Sequence, residues 1–269
     1  MDLFFDLLRS VIYGVIEGIT EWLPISSTGH MILAEQVLKF SFSAEFMEMF
    51  RVVIQLGAIL AVVVMYFKKL WPFCVDNGRD SGLAKHVRWP VMRLWFKIIV
   101  ACLPAAVLGL ALDDWIDAHF YNSVVVAVML IVYGIAFILI ERRPRVPTTT
   151  KLSRITYRQA LIVGAWQVLA LIPGTSRSGS TIIGGLLCGM SRACASQFTF
   201  FLAIPVMAGA SGLKLVKFLV GGGVFTVAEV GALLVGCIVA FVVSIMAIRF
   251  LMDYVKKHTF TIFGWYRIA

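Results

Sequence analysis

Long apolar runs separated by short polar stretches dominate the chain, and five of them are long enough to cross a bilayer. These runs extend over Phe46–Phe67, Leu94–Leu112, Tyr121–Ile140, Ala195–Val220 and Val224–Leu251. A transmembrane helix needs about 20 apolar residues. The pattern therefore predicts an all-α polytopic membrane protein with about five to six transmembrane helices.

Two further apolar stretches are interrupted by polar residues, and they resemble each other. In Gly14–His30 and Gly164–Thr181, an apolar run leads to a proline, then to a cluster of Ser, Thr and Gly, then to a second apolar run. Lipid offers no hydrogen bonds to a loop backbone, so such loops persist only where protein or a cavity surrounds them. Paired interruptions in two halves of a chain indicate a binding site between broken helices. We therefore expect inverted-topology repeats, repeat one at about 1–112 and repeat two at about 155–269.

The charges between the runs predict an orientation. Cytoplasmic loops of membrane proteins are rich in Lys and Arg. An acidic link (Asp113, Asp114, Asp117) therefore lies outside, and two basic loops lie in the cytoplasm: Lys68, Lys69, Arg79, Lys85, Arg88 and Arg93 in one, Arg142, Arg143, Arg145, Lys151, Arg154 and Arg158 in the other.

This orientation excludes a single crossing by Leu3–Trp22, because Lys68 and Lys69 would then face outside. We expect two re-entrant helix–loop–helix hairpins instead, residues 3–40 entering from outside and residues 158–190 entering from the cytoplasm. Residues 1–269 then form a single integral membrane domain. The apolar segment Thr259–Ala269 is too short to cross, so it is either interfacial or part of a last span.

Composition narrows the class of protein further. The chain is 60% hydrophobic and 14% charged, with a mean hydropathy of +0.91, as in polytopic membrane proteins. Its net charge of +9 is explained by the basic loops, so we expect no nucleic-acid partner. The five cysteines are scattered and odd in number, so we expect neither disulfides nor a Cys-ligated metal. The N-terminus lacks a basic region and a cleavage site typical of a signal peptide.

Glu17 and Glu21 are one helical turn apart and face the same way. Two ionised carboxylates in a hydrocarbon environment need compensation by a shared proton, an arginine or a metal ion. The alternative is that the helix lines a wet vestibule where both are solvated. A divalent cation at Glu17 and Glu21 is one prediction that follows.

The first polar loop supplies hydroxyl groups and an imidazole. One interpretation is purely structural: the hydroxyls of Ser26, Ser27 and Thr28 cap the next helix and do nothing else, and His30 is a structural hydrogen-bond donor. Their proximity to Glu21 favours a catalytic interpretation, since it joins a nucleophile, a proton carrier and an orienting acid.

The second loop is suited to an anion. Arg177 at membrane mid-depth needs an anionic partner, and it lies at the start of a half-helix whose N–H groups favour negative charge. Its guanidinium can bind phosphate oxygens in a bidentate way. We expect it to act with Gly174, Ser176, Ser178 and Thr181. The alternative is an ion pair with Glu17 or Glu21 that locks the fold, and both roles could also hold in alternate states. An anion attached to an apolar tail, such as a lipid phosphate or diphosphate, would satisfy this site.

At these motifs the chain resembles the undecaprenyl-diphosphate phosphatases of bacteria, the bacitracin-resistance family. The resemblance covers nearly the whole chain. It rests on the acidic pair, on Pro-x-Ser-Ser-Thr-Gly-His ending at His30, and on Pro-Gly-x-Ser-Arg-Ser-Gly-x-Thr ending at Thr181. It implies removal of the terminal phosphate of the C55 lipid diphosphate at the outer side of the inner membrane, for cell-wall synthesis. It also implies a divalent cation, Mg²⁺ or Ca²⁺, and gives site roles to Glu17, Glu21, Ser27, His30, Ser176, Arg177, Ser178 and Thr181.

Two questions of mechanism and function stay open at this point. Ser27 can attack the terminal phosphorus with His30 relaying protons, or His30 can be the nucleophile. Inverted repeats with paired re-entrant loops are also a transporter architecture, so a flippase of a polyprenyl phosphate lipid is the alternative function. The oligomeric state is open as well, with a homodimer among the states considered.

Overall fold

The computed structural model describes residues 2–75, 85–120, 122–143 and 146–269. Arg79, Tyr121 and Arg145, and the side chains of Asp113, Asp114 and Asp117, lie outside the described part of the chain. The regular elements are helices: α1 Asp2–Thr20, α2 Ser27–Val37, α3 Ala44–Val53, α4 Gln55–Met65, α5 Phe67–Leu70, α6 Trp89–Phe120, α7 Ser123–Glu141, α8 Tyr157–Val168, α9 Arg177–Leu187, α10 Arg192–Val220, α11 Val227–Lys257 and α12 Thr261–Ile268.

Five segments in this described part are long and apolar enough to cross a membrane, which confirms the all-α polytopic class. They are Ala44–Met65, Trp89–Leu112, Ser123–Glu141, Arg192–Val220 and Val227–Lys257. The first is divided at Ile54 into α3 and α4, a break that the apolar pattern did not predict. Outward-facing side chains such as Leu60, Val128 and Ile238 are exposed, as expected of surfaces that meet lipid.

The first polar loop joins α1 and α2 into a hairpin. Helix α1 ends before Pro24, and Ser26 starts α2 by accepting a hydrogen bond from the Gly29 N–H. The two ends of the hairpin lie together, because the Ser41 N–H donates to Asp6 Oδ1 at 3.3 Å. Helix α1 packs closely along α11, where a side chain on Gly14 would place its Cβ 2.7 Å from the Gly236 carbonyl oxygen.

The second loop joins α8 and α9 into a hairpin of the same construction. Its ends also lie together, since Gln159 Nε2 donates to the Cys188 carbonyl at 3.0 Å. Helix α8 packs against α6, with Gly164 facing the backbone of Ala101. Ser176 starts α9 as Ser26 starts α2, and their φ angles of 71° and 74° are both positive.

The same construction therefore occurs twice, with crossed packing. Each hairpin lies on the last long helix of the other half, α1 on α11 and α8 on α6. Ser43 and Ser191, which start the next helices, have the same φ of −66° and ψ of 156°. The inverted repeats and their entry into the bilayer from opposite faces stay predictions.

The C-terminal segment is a helix that packs against α7. Gly134 and Gly264 face each other, and a Cβ on either would lie 2.7 Å from the other's carbonyl oxygen. The segment begins beside the end of α7, where the Phe260 N–H donates to Glu141 Oε1 at 3.1 Å. From there α12 runs back towards the two hairpin tips, which places the buried side chain of Arg267 against both of them.

Candidate active site

The tips of the two hairpins meet at a single carboxylate. Arg177 Nη2 donates to Glu21 Oε1 at 2.6 Å, and Ser27 Oγ donates to Glu21 Oε2 at 2.8 Å. Both partners of the ion pair are largely buried, with side-chain exposures of 12% for Arg177 and 7% for Glu21. Three residues expected to act together are thus joined through Glu21, although Ser27 and Arg177 lie 150 residues apart in the sequence.

Arg177 is oriented by contacts on several sides. Its Nη1 donates to the Thr199 carbonyl at 2.9 Å, and its guanidinium carbon lies 5.9 Å from the centre of the Trp22 ring. Its Nε is buried and has no hydrogen-bond partner within the described residues. A guanidinium offers five N–H donors, so this one retains capacity for an additional acceptor.

Several expected ligand residues also have local structural partners. Ser26 caps α2, and Ser176 caps α9 while its Oγ lies 3.2 Å from Ser178 Oγ. Thr181 donates to the Arg177 carbonyl at 2.9 Å and accepts from the Thr199 hydroxyl at 2.9 Å. These hydroxyls shape the two tips. Ser27 and Thr28, by contrast, are only partly buried.

Gly174 allows the second tip to fold tightly. Its φ is +88°, in the region that favours glycine, and a Cβ would lie 2.6 Å from the Val126 carbonyl oxygen of α7. Its carbonyl accepts a hydrogen bond from Arg267 Nη2 at 2.8 Å. The close approach at Gly174 is therefore to α7.

The imidazole of His30 is bonded through both nitrogens. Nδ1 lies 2.8 Å from the Ser26 carbonyl, and Nε2 lies 2.7 Å from the Tyr266 hydroxyl. A carbonyl only accepts, so Nδ1 is the donor, and the Nε2 of the neutral ring accepts from Tyr266. The bond partners of His30 are thus Ser26 and Tyr266, not the Ser27 hydroxyl.

Glu17 is a suitable ligand for a divalent cation. It is 1% exposed, lies near Glu21 and Arg177, and its Oε1 has no hydrogen-bond partner in the described part of the chain. The described residues hold no cluster of three or more His, Cys, Asp or Glu. Mg²⁺ is usually bound by one or two carboxylates together with substrate phosphates. The carboxylates present therefore fit such an ion when a phosphorylated substrate supplies further oxygens.

Sequence reasoning missed Arg267, which contacts both tips. It is 4% exposed and donates to the carbonyls of Pro24 at 3.2 Å, Gly174 at 2.8 Å and Thr175 at 3.0 Å. An arginine within a short apolar tail is costly in a membrane without partners. That isolated charge was the signal that could have identified it.

Comparison with known proteins gives consistent matches over this chain. The family model described as "Bacitracin resistance protein BacA" matches residues 10–269. A protein of Enterococcus faecalis (strain ATCC 700802 / V583) named undecaprenyl-diphosphatase is 59% identical over 268 residues, covering 99% of this chain and 95% of the relative. Relatives with the same name from Lactococcus lactis subsp. lactis (strain IL1403) and Desulfitobacterium hafniense (strain DSM 10664 / DCB-2) are each 57% identical, covering 98% of this chain and 94% and 92% of their own lengths.

Proposed function

The chain belongs to the Bacitracin resistance protein BacA family, and we propose that it is an undecaprenyl-diphosphate phosphatase of the bacterial inner membrane. It removes the terminal phosphate of the lipid diphosphate and so recycles the lipid carrier for peptidoglycan synthesis. The observation that carries this proposal is the contact of Ser27 and Arg177 with one buried carboxylate, Glu21, where two hairpins meet. That contact joins a nucleophile, a proton acceptor and an anion-binding cation in an apolar, helical protein.

Arg177 binds the diphosphate in this proposal. Its orphaned Nε and its Nη2, once released from Glu21, present two parallel N–H groups to phosphate oxygens. The backbone N–H groups at the start of α9 add donors to the same anion. The lipid tail lies against the apolar outer faces of the helices.

The chemistry assigned to Ser27 follows from its hydrogen bond to Glu21. Ser27 Oγ forms a bond to the terminal phosphorus, and its proton passes to Glu21. The bridging P–O bond breaks, and the lipid monophosphate leaves. Water then hydrolyses the phosphoserine and releases phosphate. His30, the competing nucleophile, has its Nε2 occupied by Tyr266, so the observed bonds favour Ser27 as the nucleophile. His30 then keeps the relay of protons to and from the site.

We assign a divalent cation, Mg²⁺ or Ca²⁺, to the same site. Glu17 and Glu21 would hold it, and when bound it would offset negative charge that develops on the phosphate. The unpartnered Glu17 oxygen supports this assignment.

The site is proposed to open to the periplasmic side. The positive-inside rule predicts that the basic loops lie in the cytoplasm and that the ends of the α1–α2 hairpin, where Ser41 meets Asp6, face outside. A homodimer is a separate proposal.

A lipid flippase is the second candidate. The observation that favours it is that the same broken-helix hairpin occurs twice, with Ser26 and Ser176 both capping the second helix at a positive φ, as in transporters with paired broken helices. Such a protein must open its site to each side in turn, whereas a phosphatase needs a single opening.

Phosphate release from a polyprenyl diphosphate by the purified protein in detergent tests the proposal, because no membrane sides exist there. We expect release, and we expect loss of release when a chelator removes divalent cations. If no phosphate is released after the cation is restored, the result contradicts the phosphatase proposal, and the flippase is then the remaining candidate. Rapid quenching should trap a phospho-enzyme on serine. A phosphoryl group found on histidine would make His30 the nucleophile in place of Ser27. Absence of any phospho-enzyme would favour direct attack by water.

A further inference from the structure

The C-terminal helix α12 is joined to the centre of the protein by one buried side chain. Besides its bonds to both hairpin tips, Arg267 donates to α7 through the carbonyls of Met129 and Leu130, each at 3.3 Å. Its guanidinium carbon lies 5.5 Å from the centre of the Tyr133 ring. An arginine that satisfies five backbone carbonyls from three parts of the chain holds those parts in fixed relative positions.

The neighbouring residue, Tyr266, then has little freedom in where its ring lies. The ring stacks on His30 with centroids 5.7 Å apart and an angle of 3° between the planes. Its hydroxyl donates to His30 Nε2 at 2.7 Å, while Nδ1 of the same imidazole donates to the Ser26 carbonyl at 2.8 Å. These two bonds fix the tautomer and the ring orientation of His30, as the partners of catalytic histidines commonly do.

We propose that α12 is a third element of the active site, in which Arg267 anchors the helix and Tyr266 acts as a positioning residue for His30. The inference rests on the proposed phosphatase function. Tyr266 acts through the imidazole and needs no contact with the reacting phosphate. When His30 must carry a proton, the tyrosine hydroxyl holds Nε2 at a set position beside the first tip.

The exposure of Tyr266 separates this role from a purely structural one. Tyr266 is 55% exposed, so loss of its hydroxyl alone removes little buried surface. Tyr266→Phe retains the ring that stacks on His30 and removes only the hydrogen bond to Nε2. Tyr157 is a matched control, since it is 48% exposed and lies at the start of α8, at the far end of the second hairpin.

The test is a double-mutant cycle measured by phosphate release from a polyprenyl diphosphate in detergent. We expect Tyr266→Phe to lower kcat by up to about tenfold, the effect of losing one hydrogen bond that positions His30, with KM within about twofold. We expect Tyr157→Phe to leave both unchanged, and all variants to unfold at the wild-type temperature. In a His30→Ala background, measured in single turnovers, Tyr266→Phe should have no further effect.

Nuclear magnetic resonance of ¹⁵N-labelled histidine gives a readout that does not depend on activity. The His30 Nε2 signal, assigned by its loss in His30→Ala, should shift in Tyr266→Phe and stay in place in Tyr157→Phe. An active wild type whose kcat is unchanged in Tyr266→Phe would overturn the inference, as would an equal loss in the His30→Ala background. An inactive wild type would contradict the proposed function instead. In that case, an Nε2 signal that does not shift in Tyr266→Phe would overturn the contact between Tyr266 and His30.

Discussion

Replacing Arg177 by alanine tests the centre of the proposed mechanism. The substitution removes the 2.6 Å ion pair with Glu21, the 2.9 Å bond to the Thr199 carbonyl and the proposed ligand of the diphosphate. Arginines that stabilise phosphoryl transfer contribute about 10³–10⁵-fold to kcat, which corresponds to about 4–7 kcal/mol of activation free energy. We expect turnover to fall by this amount, to near background.

The same substitution also affects folding. It leaves the Glu21 carboxylate, whose side chain is 7% exposed, without its cation. Breaking a buried ion pair from one side costs about 3–5 kcal/mol of unfolding free energy. The fold should remain detectable, because the five apolar spans and the other contacts between the tips persist.

Arg192→Ala is the matched control. Arg192 binds Glu141 through two nitrogens, Nε at 2.8 Å and Nη2 at 2.5 Å, and the Glu141 side chain is 5% exposed. This pair also joins two helices, α10 and α7, but lies at the start of α10, away from the hairpin tips. We expect Arg192→Ala to destabilise the protein as well, by less than Arg177→Ala because the Arg192 side chain is 38% exposed, while turnover stays within a few-fold of wild type.

The assay combines phosphate release in detergent with thermal unfolding of the same samples. Arg177→Lys should retain part of the activity, since a lysine supplies the charge without the bidentate geometry. Near-normal turnover in Arg177→Ala would refute the anion-binding role. Equal losses of turnover in Arg177→Ala and Arg192→Ala would attribute the effect to stability and not to chemistry.

Three further substitutions extend the test. Ser27→Ala should lower kcat by about 10³-fold or more and abolish the phospho-enzyme, and full activity would remove Ser27 as the nucleophile. Glu21→Gln should lower kcat by about 10²–10⁴-fold and weaken the response to Mg²⁺ in a titration after chelation, and an unchanged titration would contradict its role at the cation. Gly174→Ala should lower the unfolding temperature more than Gly222→Ala. Both glycines have a positive φ, but only at Gly174 would the Cβ meet the Val126 backbone, so equal shifts in a melting experiment would contradict that packing.

Sequence alone predicted the elements whose cause is local. The five spans follow from apolar length, and the two loops follow from proline and from clustered hydroxyls that break and cap helices. The break at Ile54 was not predicted, because a continuous apolar run has the same sequence pattern whether it forms one helix or two. Which hydroxyls cap a helix and which remain available was also left open, since Ser26 and Ser27 are equivalent in pattern and differ only in the direction of their side chains.

The contribution of α12 could not be predicted for a different reason. Tyr266 and His30 are far apart in sequence, and their contact depends on how closely α12 approaches α7. Gly134 and Gly264 permit that approach, since a Cβ at either position would collide with the opposite backbone. Neither glycine differs in pattern from the many others in the chain, so only the packed structure identifies the pair.

The ion pair between Glu21 and Arg177 links substrate binding to the proposed chemistry. Sequence reasoning left open a locked ion pair, an anion site, or both in alternate states, and the observed contact fits a guanidinium that serves both in turn. In the proposed site, a diphosphate that carries more negative charge than a carboxylate would compete for Arg177, and the desolvated site would strengthen that attraction. If Arg177 turned to the phosphate, Glu21 would lose the arginine as its ion-pair partner while it still accepted the Ser27 hydroxyl. Its negative charge is then available to attract the Ser27 proton, so the arrival of substrate itself would prepare the nucleophile.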